Sequence, residues 1–167
     1  MGLMGGAPPT AWPEAERLFA AGVTCICCEA WPQAYDCFVR CARRDAPTHF
    51  NQALCCFHVG WYEECHRLLD EAERMLDDKS AGGFGPEIPT AQRRQLPEVF
   101  RRWDAASELP RSPLLPETPH CEALTLILRL RAEAAIQLGR CEEVRTIAAR
   151  LGHRYQHLEN LLKKIDR

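Results

Sequence analysis

The 167-residue sequence has little excess charge and no long apolar run, and each absence removes a class of protein. Lysine and arginine total 21 against 23 acidic residues, so the formal net charge is −2 and no basic surface for nucleic acid is indicated. No stretch approaches the roughly 18 consecutive apolar residues of a transmembrane helix. The first residues contain neither the basic region nor the apolar run of a signal peptide. We therefore expect a soluble, cytoplasmic protein that binds neither nucleic acid nor membrane.

The sequence does contain an internal repeat with an offset of 31 residues. The stretch from Leu18 to Cys41 reappears from His49 to Ala72, with its small and bulky positions in step. The residues that match in the second half of each copy are Ala34 with Cys65, Phe38 with Leu69, and Cys41 with Ala72. Self-similarity at a fixed period is typical of proteins built from stacked repeats.

Each copy has the pattern of two antiparallel helices joined by a tight turn, at residues 29–32 and 59–62. A small residue, Ala34 or Cys65, stands where the two backbones would cross most closely. A large residue four positions later, Phe38 or Leu69, would fill the space beside that crossing. Because one such hairpin cannot bury its own apolar face, the copies must stack.

These residues resemble the tetratricopeptide repeat, whose signature combines a Gly, a later Ala-x3-Phe and a late Pro. The first copy retains Gly22, Ala34, Phe38 and Pro47. The family period is about 34 residues, whereas the period here is 31. Gln52 in the second copy and Arg131 in a weaker third copy stand where the family has leucine. The nine-residue step from Ala135 to Val144 in the third copy equals the steps in the first two.

The resemblance implies an all-α fold, a short α-solenoid of about three antiparallel helical hairpins with an inserted Pro/Gly-rich segment and a C-terminal capping helix. The hairpins would span about 14–45, 47–77 and 120–151, within a single domain from 14 to 166 that follows a flexible N-terminus, 1–13. The capping helix, 153–166, carries an apolar stripe of Tyr155, Leu158, Leu162 and Ile165.

The insertion, residues 79–119, is broken by glycine and proline at both ends. Inside it, a short helix is predicted from Pro97 to Leu109. Its apolar side would be formed by Val99, Phe100, Trp103 and Ala106. This stripe either packs on the flank of the solenoid or occupies the solenoid's own groove.

Ten cysteines are present, and most lie in strongly helical stretches rather than in loops. Cys25, Cys41, Cys56 and Cys65 occupy repeat positions that require a buried side chain, which reduced cysteine suits. The alternative is a zinc or redox site, since paired thiols and nearby histidines are the ligands that zinc prefers. Its candidates are Cys25, Cys28, Cys37, Cys41, His58 and His66.

A stack of three hairpins has a concave surface that suits protein recognition, and the resemblance implies which side chains line it. The predicted groove residues are Phe19, Val23, Ile26, Phe50, Leu54, Phe57 and His58. The same spacing suits a position in the core between helices, so several of these side chains have that alternative place. We therefore expect a non-enzymatic module, without cofactor or catalytic residue, that binds an apolar protein or peptide segment. The alternatives are a small dedicated chaperone, a cysteine-rich metal-binding or redox protein, and a homodimer that covers the groove with its own copy.

Overall fold

The computed structural model describes residues 13–82 and 112–167, and all regular structure in these residues is helical. The helices are α1 (Glu14–Cys27), α2 (Trp31–Cys41), α3 (Ala46–His58), α4 (Tyr62–Gly82), α5 (His120–Gln137), α6 (Cys141–Arg150) and α7 (Gln156–Ile165). In these residues, no helix combines the length and the apolar composition needed to cross a membrane. The predicted N-terminal segment before residue 13 and the predicted helix from Pro97 to Leu109, with Val99, Phe100, Trp103 and Ala106, lie outside the described residues.

Helices α1 and α2 form the first hairpin and run antiparallel. The Cys41 thiol at the end of α2 donates a hydrogen bond to the carbonyl oxygen of Ala15 at the start of α1, at 3.1 Å. At mid-length, Gly22 faces Phe38 so closely that a Cβ on the glycine would lie 2.7 Å from the Phe38 Cζ. Ala34 and Phe38 have no exposed surface. The sequence-based prediction that these two residues are buried is therefore confirmed.

Helices α3 and α4 form the second hairpin, and α3 begins at a side-chain cap. The Asp45 carboxylate accepts a hydrogen bond from the backbone amide of Thr48 at 2.9 Å, which satisfies one of the free amides of the first turn. Burial alone would raise the pKa of Asp45, but the hydrogen bonds from Thr48 and Arg43 outweigh it and hold that pKa below its ordinary value. This cap fixes where the second hairpin begins. Near the start of α3, His49 also lies 3.3 Å from Glu71 of α4, which links the two helices.

The turns inside the three hairpins share one backbone geometry. At equivalent positions Glu29, Gly60 and Gly139 all have positive φ, between 56° and 84°. In each turn, the amide of the next residue donates to the carbonyl five residues earlier, at 2.8–2.9 Å. The pairs are Ala30 with Cys25, Trp61 with Cys56, and Arg140 with Ala135. This is the Schellman motif, which ends a helix and reverses the chain with the same hydrogen bonds each time.

Helix α5 lies between two apolar cores. One of its faces, which includes Ile127 and Leu130, joins the core formed with α1 to α4, and the other, which includes Leu128, joins the core formed with α6 and α7. Helix α7 contacts both α5 and α6. Within the predicted capping stripe, Leu158 is buried and Tyr155, Leu162 and Ile165 are partly buried, while Leu161, outside the stripe, is buried as well.

Each helix packs against the next along the chain, and α1 also contacts α3, as α3 contacts α5. Helix α3 therefore has neighbours on several sides, namely α1, α2, α4 and α5. Its side chains are buried almost all the way around the helix, including the polar Thr48 and Asn51. This central position decides where the predicted groove residues lie.

Candidate functional site

Four of the seven predicted groove residues belong to the apolar core rather than to an open surface. These are Phe19, Ile26, Phe50 and Leu54. Phe50 and Leu54 have no exposed surface, because α3 is enclosed by four other helices. The expected exposure of these four side chains is therefore corrected: they pack helix against helix. Val23, Phe57 and His58 are partly buried.

Phe57 and His58 instead belong to a cluster of rings at the turns of the first two hairpins. We call this cluster the aromatic surface, and its members are Trp31, Tyr35, Phe57, His58, Trp61 and Tyr62. Trp31 stacks on His58, with ring centroids 3.8 Å apart and an interplanar angle of 9°. Tyr35 meets Trp61 edge to face at 5.9 Å, and Phe57 meets Tyr62 in the same way at 5.4 Å.

The repeat explains how these rings come together. Trp31 and Tyr62 are equivalent residues, 31 positions apart, and each begins the second helix of its hairpin directly after a Schellman turn. Identical turns therefore deliver an aromatic side chain to the same end of neighbouring hairpins. The sequence analysis places Trp31, Trp61 and Tyr62 in turns but gives these three residues no functional role. The signal that would have found them is the recurrence of tryptophan beside both turns.

Trp61 and two aliphatic residues that lie near members of the aromatic surface along the chain are unusually exposed. Trp61 is 57% exposed, Val39 is 48% exposed and Val59 is 40% exposed. Val39 lies one helical turn after Tyr35 on α2, and Val59 lies in the turn that leads to Trp61. Burial raises the pKa of the Tyr35 phenol, as do the neighbouring Cys56 and Glu64. A tyrosine phenol is protonated at neutral pH in any case, so this hydroxyl can donate a hydrogen bond.

A second cluster, of charged side chains, ties α4 to α5 and α6. The guanidinium of Arg131 lies 2.8 Å from Glu73 and 2.6 Å from Glu143. Glu143 also pairs with His66 at 2.8 Å, and Arg150 makes a second ion pair with Glu73. Arg131 stands where the tetratricopeptide signature would have leucine, and these ion pairs give its charge two acidic partners. The cluster joins the second hairpin to the third.

The cysteines are buried, partly buried or exposed, and none of those described forms a disulfide. Cys25, which the repeat pattern predicts to be buried, is only partly buried. Cys55, Cys56 and Cys65 are buried, and burial raises the pKa of Cys55 and of Cys56 to about 12. In residues 13–82 and 112–167, no three histidine, cysteine, aspartate or glutamate side chains are placed to hold a metal ion. The structure does not assemble a ligand set from the candidates Cys25, Cys28, Cys37, Cys41, His58 and His66.

Comparison of the chain with protein-family models, with curated proteins and with solved structures finds no match in any of the three. The resemblance to tetratricopeptide repeats therefore depends on this chain's own sequence pattern. The aromatic surface is the feature of the described residues with the clearest capacity to bind another molecule.

Proposed function

We propose that this protein is a non-enzymatic interaction module, a short tetratricopeptide-like solenoid that binds a partner polypeptide through its aromatic surface. The solenoid is supported by the three Schellman turns at equivalent positions and by the contacts of α1 with α3 and of α3 with α5. In such stacks, the first helix of each hairpin contacts the first helix of the next. The binding surface differs from the predicted groove, although Phe57 and His58 contribute to it.

The observation that carries the proposal is the exposure of Trp61 beside Val39 and Val59. Large apolar side chains exposed together in a folded protein mark interaction surfaces, because their hydration is unfavourable until a partner covers them. Tryptophan and tyrosine are also the residues most enriched among those that dominate binding energy. Here both residue types lie on rigid helices and turns rather than in a long loop.

The geometry of the rings favours a partner segment with aliphatic side chains. Trp31 is held by its stack on His58, and Tyr35 is held against Trp61, so little side-chain entropy remains to be lost on binding. The exposed side chains of Trp61 and Val39 offer apolar contact, while the Tyr35 hydroxyl offers one hydrogen bond to a backbone carbonyl of the segment. Together they suit a polypeptide that is apolar on one side.

The test compares Trp61→Ala with Leu115→Ala, a matched control that removes another exposed apolar side chain from a different segment. Each protein is immobilised, and partners are captured from an extract of cells that express it. The affinity of each captured partner, after purification, is then measured by titration calorimetry. We expect Trp61→Ala to weaken the captured partner's affinity by about 30-fold or more. We expect Leu115→Ala to leave that affinity unchanged.

Circular dichroism and thermal unfolding of both variants establish that the comparison is between folded proteins. A partner whose affinity is the same for wild type and for Trp61→Ala would show that binding lies elsewhere. Sedimentation of the wild type addresses the homodimer. A dimer that dissociates in Trp61→Ala would mean that the aromatic surface is covered by a second copy, and it would contradict a separate partner.

A further inference from the structure

Residues 112–119, here called the strap, lead into α5 and are held to α3 by one side chain. The Asn51 Nδ2 donates to the carbonyl oxygen of Leu114 at 3.0 Å, and the Leu114 amide donates to the Asn51 Oδ1 at 2.8 Å. Both residues are buried, with Asn51 0% exposed and Leu114 1% exposed. The Asn51 amide therefore binds both the amide and the carbonyl oxygen of one residue's backbone.

The site around Asn51, which we call the Asn51 socket, reads two features of the chain that it holds. The two hydrogen bonds recognise the backbone of residue 114, whatever its side chain. The leucine side chain packs in the apolar core, which favours an aliphatic residue at this position. Pro113 and Pro116 flank this position. Each proline disfavours the helical conformation for the residue before it, Ser112 or Leu115, and Pro116 lies in a turn in which the Thr118 amide donates to the Leu115 carbonyl oxygen at 3.1 Å.

Leu114 is the one fully buried residue of the strap, whereas Ser112, Pro113 and Thr118 are partly buried. Leu115 directs its side chain outward and is 36% exposed, and Pro116 and Glu117 are exposed as well. In the part of the chain that the structure describes, the other hydrogen bonds of the strap are those between Leu115 and Thr118 and one that the Pro119 carbonyl oxygen accepts from the Ala123 amide of α5, at 2.9 Å. Release of Leu114 would break its packing in the core and its two hydrogen bonds with Asn51, while Pro119 stays joined to α5.

We propose that the Asn51 socket is a binding site for a Pro-Leu segment of a partner polypeptide, filled in this structure by the chain's own strap. An empty socket is unfavourable, because it leaves the buried Asn51 amide without hydrogen bonds. A partner segment with the same pattern restores those bonds, so it exchanges with the strap. The strap thus competes with the partner and sets its apparent affinity. This site is separate from the aromatic surface and does not depend on its function.

The first test measures hydrogen exchange of the Leu114 amide in the wild-type protein by NMR. Segments that open locally exchange faster than those that require global unfolding. We expect the Leu114 amide to exchange about 100-fold faster than the amide of Leu54 in the core of α3. Equal protection of the two amides would mean that the strap leaves only when the protein unfolds, and it would overturn the proposal.

The second test supplies the ligand in trans, as a labelled synthetic peptide with the sequence of residues 112–119. Leu114→Ala weakens the internal competitor, so we expect this variant to bind the peptide about tenfold more tightly than wild type does. Leu115→Ala is the matched control, since it removes the neighbouring leucine that is exposed, and it should behave as wild type. The double variant Leu114→Ala with Asn51→Ala should lose binding, as should a peptide with alanine in place of the first leucine.

A folded Leu114→Ala protein that binds the peptide no better than wild type would overturn the proposal. Binding that survives loss of Asn51 would do the same, because the peptide would then lie elsewhere. If Leu114→Ala does not fold cooperatively, the wild-type experiment decides. Excess wild-type peptide should then change the NMR signal of the Leu114 amide, and the alanine peptide should not; no change with either peptide overturns the proposal.

Discussion

Gly22→Ala is the substitution that most directly tests the packing of the first hairpin. A Cβ at residue 22 would lie 2.7 Å, 2.8 Å and 3.0 Å from three ring carbons of Phe38. Phe38 has no exposed surface, and its ring is held edge to face against Phe19 at 5.5 Å between centroids. A methyl group at residue 22 would therefore require the buried ring or the two helices to shift.

The expected change in stability is a difference of two terms. Replacing glycine by alanine inside a helix stabilises it by about 1 kcal/mol. Inserting a methyl group into a filled core costs about 1–3 kcal/mol, and the contacts with Phe38 indicate the upper part of that range. We expect Gly22→Ala to lower the free energy of unfolding by about 1–2 kcal/mol, even though alanine is the better helix former.

Urea unfolding followed by circular dichroism measures this change in the free energy of unfolding. Two further variants separate the gain in helix propensity from the cost of the clash with Phe38. Ala21→Gly, at an exposed neighbouring position, reports the helix-propensity term alone. In a Phe38→Leu background the clash is relieved, so Gly22→Ala should stabilise that protein by about 1 kcal/mol. A Gly22→Ala protein more stable than wild type would refute the close approach of α1 and α2 at this point.

Two other predictions concern the charged cluster and the thiols. Burial would raise the pKa of Glu143, but hydrogen bonds from His66 and Arg131 outweigh it and hold that pKa below its ordinary value. Its stabilising contribution is therefore complete above about pH 4.3 and lost as the pH falls below that. Arg131→Met should lower the free energy of unfolding at pH 7 by about 2 kcal/mol. In urea titrations at a series of pH values, this variant should also lose less stability than wild type as the pH falls below about 4.3. In native protein, iodoacetamide followed by mass spectrometry should modify exposed Cys121 rapidly and buried Cys56 only after unfolding.

The hairpin periodicity could be read from the sequence because it is a local property. The nine-residue step from Cys25 to Ala34 and from Cys56 to Cys65 spans one helix end, one turn and one helix start. Short-range spacing of this kind depends on helix geometry and turn chemistry, which neighbouring residues decide. Phe38 and Leu69, which the pattern predicts to be buried, are buried, whereas Cys25, predicted in the same way, is only partly buried.

The exposure of the predicted groove could not be read in the same way, because it depends on how many helices surround α3. Phe50 and Leu54 have an amphipathic spacing that suits either a groove or a core. Contacts with α1, α2, α4 and α5 decide for the core. Likewise, nothing local to Asn51 indicates that it binds a residue 63 positions further along the chain.

The sequence by itself determined the helical class of the described residues and the repeat of 31, since both follow from periodicity within one or two helices. Only the tertiary structure decided which apolar residues are covered. It turned Phe50 inward, left Trp61 exposed and brought the Leu114 backbone to Asn51. The physical reason is that burial is a property of the neighbours a side chain meets, and those neighbours come from distant parts of the chain.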